Sequence, residues 1–127
     1  MKVIALAGLV LALSSPLAAS AAKGAHDHSP RHGGIVTEAG NVDLELVLKA
    51  DAITLHLRDH GKALKIEGGS AKLTLLSGAN KQEVALAPAG EGRFEAKGAF
   101  PAAAGTKAVA MVTLPGRKPL TARFAVK

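Results

Sequence analysis

An antiparallel all-β sandwich is the fold this sequence predicts, on three observations. From Ile35 onward, apolar residues recur at every second position in short runs. Gly, Pro, Asn and Asp interrupt those runs roughly every 8–12 residues, the spacing of strands and turns in a sandwich. No segment beyond residue 34 carries an apolar stripe of helical period over three turns. Together they predict seven to nine short strands in an immunoglobulin-like sandwich rather than a barrel.

Residues 1–22 read as a cleavable signal peptide. Lys2 supplies a positive start, Val3 to Leu13 is an uncharged apolar run, and Ser14, Ser15 and Pro16 break it. Ala19-Ser20-Ala21 fits a small-residue cleavage site, with the cut after Ala21 or Ala22. The run is short for a membrane span. With no Cys in the chain, a lipid anchor on cysteine is excluded. The expected location is the periplasm.

Residues 23–34 are polar, Gly-containing and aperiodic, and predict a flexible His-rich arm. Residues 35–127 form the predicted β-domain. Its clearest hairpin covers residues 42–59. Placing Ala50 and Asp51 at the turn sets Leu48 against Ile53, Leu46 against Leu55 and Leu44 against Leu57. The same register sets Asp43 opposite Arg58 and Glu45 opposite His56, which read as surface pairs. A turn at residues 59–62 leads to a short strand from Ala63 to Glu67. Leu73 and Leu75 then pair with Leu86 and Val84 across residues 78–81, and Phe94 and Ala96 face Leu86 and Val84 after the turn at residues 88–92. The last hairpin sets Ala108, Ala110, Val112 and Leu114 against Val126, Phe124, Ala122 and Leu120.

Composition narrows the function. The formal net charge is +6, but the cations are spread along the chain and Tyr and Trp are absent, so nucleic-acid binding is not expected. The absence of Cys removes thiol catalysis and thiolate metal sites. No serine sits in a nucleophile elbow, and there is no phosphate loop or dinucleotide fingerprint. The sequence points away from an enzyme.

Five histidines are the concentrated chemistry. His26, His28 and His32 lie in the arm, where neutral imidazoles on a mobile chain can turn toward one ion. Asp27 is a weaker candidate ligand. His56 and His60 are weaker too, being about 13 Å apart along an extended strand. Cu(I) favours sulfur, and Met111 is the one methionine beyond the signal peptide, read as structural. The expected cation is therefore Cu(II) or Zn(II).

The order His32-Gly33-Gly34-Ile35-Val36, Asp43-Leu44-Glu45-Leu46-Val47, Leu55-His56-Leu57-Arg58-Asp59-His60-Gly61-Lys62, Ala85 to Gly90 and Ala122-Arg123-Phe124 resembles a known family. It is similar to the small N-terminal β-domain of periplasmic adaptor subunits of heavy-metal RND efflux pumps, and to stand-alone periplasmic proteins with that domain. The likeness runs over residues 32–126. It implies a role in metal delivery, with a pump component as partner, and His26, His28 and His32 as a similar arm rather than as matched ligands. The helical hairpin, lipoyl-like and barrel domains of those adaptors are missing here. The expected function is a metal buffer or chaperone in heavy-metal resistance. The alternative is an interaction module without a metal role.

Overall fold

The computed structural model describes residues 28–127. The signal-peptide reading, His26 and Asp27 lie outside the described residues. Among the described residues every regular element is a strand: β1 Ile35–Ala39, β2 Val42–Leu48, β3 Ala52–Asp59, β4 Lys62–Ala63, β5 Ser70–Ser77, β6 Asn80–Pro88, β7 Arg93–Lys97, β8 Lys107–Thr113 and β9 Leu120–Ala125. All pairings are antiparallel, in the order β1-β2-β3-β7-β6-β5-β8-β9, with β4 on the edge of β3.

Two layers result. β2, β3, β7 and the end of β6 form one, and β5, β8 and β9 form the other together with the start of β6. β6 passes from one layer to the other, so the strands form one continuous antiparallel path folded into two layers, without the separate sheets and strand order of an immunoglobulin domain. Where β1 meets β9, Thr37 Oγ1 donates to the Arg123 carbonyl (2.8 Å), so the two layers nearly close on themselves.

Alternation builds the core. Leu44, Leu46, Ile53, Leu55, Leu57, Leu73, Leu75 and Val112 are fully buried around Phe94, which faces Leu55 across β3 and β7. The β2–β3 register is the expected one: Leu46 opposes Leu55, Asp43 opposes Arg58 and Glu45 opposes His56. Three other registers differ from expectation. Leu73 opposes Val84, Phe94 opposes Pro88, and Ala108, Ala110 and Val112 oppose Phe124, Ala122 and Leu120. Each slip is of two residues. Such a slip keeps every side chain on its face, so apolar alternation alone does not detect it.

Turn chemistry sets the true registers. Gly78 has φ 61° and begins a two-residue turn that joins Ser77 to Asn80, the Gly-first pattern of a type II′ hairpin. The strand expected at residues 63–67 shrinks to Lys62–Ala63, after which the Leu64 amide donates to the Leu57 carbonyl (3.0 Å). Met111 is 51% exposed on the outer face of β8, beside Lys72, and so does not belong to the core.

Candidate metal centre

β2 reads Val-Asp-Leu-Glu-Leu, with one apolar and one polar face by alternation, yet all five residues from Val42 to Leu46 are buried. The cover over the polar face is the arm. Residues 28–34 carry no regular structure and lie across β2, held by the Glu45 carboxylate. The amides of Arg31 (2.9 Å), His32 (2.7 Å) and Gly34 (2.9 Å) all donate to it. Arg58 reaches the same carboxylate through Nη1 (3.0 Å) and the Ser29 carbonyl through Nη2 (3.1 Å). The free arm expected over residues 23–34 is therefore docked from His28 onward.

Three members of the expected surface pairs are buried, and Arg58 reaches Glu45 rather than Asp43. Glu45 is 0%, Arg58 4% and Asp43 7% exposed. Burial would raise the Glu45 pKa, but the amides of Arg31, Gly34 and His32, helped by the His32 ring, outweigh it and hold the value at about 2.

Docking brings arm histidines to β2. His28 Nδ1 lies 2.7 and 2.8 Å from the two Asp43 oxygens, and His32 Nδ1 lies 3.3 Å from Glu45 Oε1. A carboxylate only accepts, so in both pairs Nδ1 carries the proton and the neutral ring keeps its lone pair at Nε2. An ion held between His28 and Asp43 would take the place of that Nδ1 proton, the ring then carrying its proton on Nε2. Glu38, directly across from Asp43 on β1, completes a group in which His28, Glu38 and Asp43 each offer a ligand atom within 4.8 Å of the others. Among the described residues it is the one such group. His28 also borders an open cleft of about 650 Å³ between β1, β2 and the end of β9, which neither Glu38 nor Asp43 lines.

The other histidines lie apart from this group. The His32 and His56 rings stack 3.7 Å apart and 3° from parallel. Burial lowers the His56 pKa, and the charges of His32, Arg93 and Arg58 lower it further against the pull of Glu45. The surroundings of His56 thus disfavour added positive charge. His60 has φ 54° and forms the β3–β4 turn with Gly61, while its Nδ1 sits 2.5 Å from Asp59 Oδ1. Its place is that of a turn residue.

Sequence reasoning passes over Glu38, although a signal for it exists. Gly40-Asn41 is a two-residue hairpin signature, and both residues have positive φ, as a type I′ turn requires. Reading that turn pairs Ala39 with Val42 and Glu38 with Asp43. Comparison with protein-family models, with curated proteins and with solved structures gives no match for this chain.

Proposed function

We propose that this is an exported metal-binding protein that takes Zn(II) or Cu(II), acting as a periplasmic buffer or chaperone in heavy-metal resistance. The observation that carries the reading is the grouping of His28 with Glu38 and Asp43 on a docked arm. One imidazole and two carboxylates form a nitrogen–oxygen donor set that suits a borderline divalent cation and lacks the sulfur Cu(I) prefers. The signal-like leader and the resemblance to efflux-adaptor domains support the location and point to a pump component as recipient. The role is that of a carrier rather than an enzyme.

Titration calorimetry with Zn(II) and Cu(II) tests this on wild type, His28→Ala and Asp43→Asn. Wild type is expected to bind one ion well below millimolar, and each variant to lose at least about tenfold in affinity, since losing a ligand costs at least as much as losing its support, about 10–100-fold. Wild-type binding no tighter than about millimolar would favour an interaction module without a metal role.

A further inference from the structure

A second pocket, of about 400 Å³, opens on the other side of the docked arm. Its polar lining comes from Arg31 and His32 of the arm, His56 and Arg58 of β3, Arg93 of β7 and Glu91 of the β6–β7 turn. We propose that this pocket binds a small tetrahedral oxyanion of phosphate or sulfate size.

Three observations carry it. The first is charge. Three guanidiniums line the pocket against one carboxylate. Carboxylates outside the lining offset two of the three, Glu45 for Arg58 and Glu95 for Arg93 (Nε at 2.9 Å), so Arg31, whose guanidinium meets the Gly61 carbonyl and no carboxylate among the described residues, is the cation an oxyanion would offset.

The second is unused donor capacity. Arg58 Nε is buried without a partner, and Arg93 Nε meets Glu95 as an ion pair that lacks hydrogen-bond geometry. The His56 ring receives no hydrogen bond from the described residues. A buried donor left unmade is costly, and an oxyanion is a ligand with acceptors enough to meet several donors at once.

The third excludes the obvious rival, a cation held by the two imidazoles. A metal ligated by imidazole lies in the ring plane, along the nitrogen lone pair. Two planes 3.7 Å apart and 3° from parallel offer no shared point for it. An oxyanion faces no such restriction, because its several oxygens can each meet a different donor.

The test uses the full mature protein, stripped of metal and desalted. Sodium phosphate and sodium sulfate are titrated at constant ionic strength set by chloride, and the His32 and His56 ring signals are followed by NMR. Saturable shifts on both rings are expected with phosphate or sulfate and not with chloride. Arg93→Gln is expected to weaken the response about tenfold, the loss of one charge-assisted contact. His56→Gln, followed on the His32 signal, should weaken it too and guards against a folding defect in the arginine variant. Identical shifts with chloride, no saturation, or wild-type response in both variants would overturn the proposal. So would movement of these two rings by Zn(II) alone. Because no metal is present in the anion titration, its failure leaves the reading of the His28 site untouched.

Discussion

Glu45 is a charged residue at a strand position where alternation leads one to expect solvent. It is instead the anchor of the arm, accepting from three backbone amides and from buried Arg58. Its folded-state pKa is lowered from 4.5 to about 2. The stability it supplies is therefore complete above about pH 4.5 and is lost as the pH falls toward 2. The pKa difference corresponds to something on the order of 3 kcal/mol. Glu45→Gln leaves Arg58 buried without its counter-charge and is expected to cost about 3–5 kcal/mol at neutral pH. The loss of stability between pH 4.5 and pH 2 should also become shallower than in wild type. Denaturant unfolding across that range measures both. Unchanged stability and an unchanged acid limb would remove Glu45 from this role. The sequence shows the Asp43-x-Glu45 spacing but not its burial, because the segment that covers it has no periodicity to read.

At the scale of elements, the arm and β2 behave as one unit. Gly34 is where the chain passes closest to the strand: a Cβ there would lie 2.3 Å from the Leu46 carbonyl oxygen, which is backbone and has nowhere to go. Gly34→Ala is therefore expected to lift the arm from β2. The amides of Arg31, His32 and Gly34 should then lose hydrogen-exchange protection, and metal affinity should fall although no ligand has changed. Retained protection at all three amides would show that the arm docks without that close approach. The same scale explains what the sequence made legible. The β2–β3 register follows from matched apolar runs of similar length, Leu44 to Leu48 against Ile53 to Leu57. In the β5–β6 and β8–β9 hairpins the alternation permits two registers that differ by two residues, and only the turn decides between them. Residues 28–34 offered composition but no pattern, so their histidines were legible as candidate ligands while their docking was not.

For the whole molecule, the sandwich places the two histidine environments on opposite sides of one short segment. Residues 28–34 run between an acidic corner, where β1 and β2 bring Glu38 and Asp43 to His28, and a basic pocket, where β3 and β7 bring Arg58, His56 and Arg93 to His32. The all-β class was readable from alternation and turn spacing. The separation of charge was not, because it depends on the β3–β7 pairing between strands far apart in the chain. The central claim is that a divalent cation binds at the acidic corner. Its most direct test is anomalous diffraction at the zinc and copper edges from crystals soaked in Zn(II) or Cu(II). A peak about 2.0–2.2 Å from a ring nitrogen of His28 and from a carboxylate oxygen of Asp43 or Glu38 is the predicted result. A soaked crystal with no peak at His28, or with its peak on His32 and His56 instead, would contradict the account.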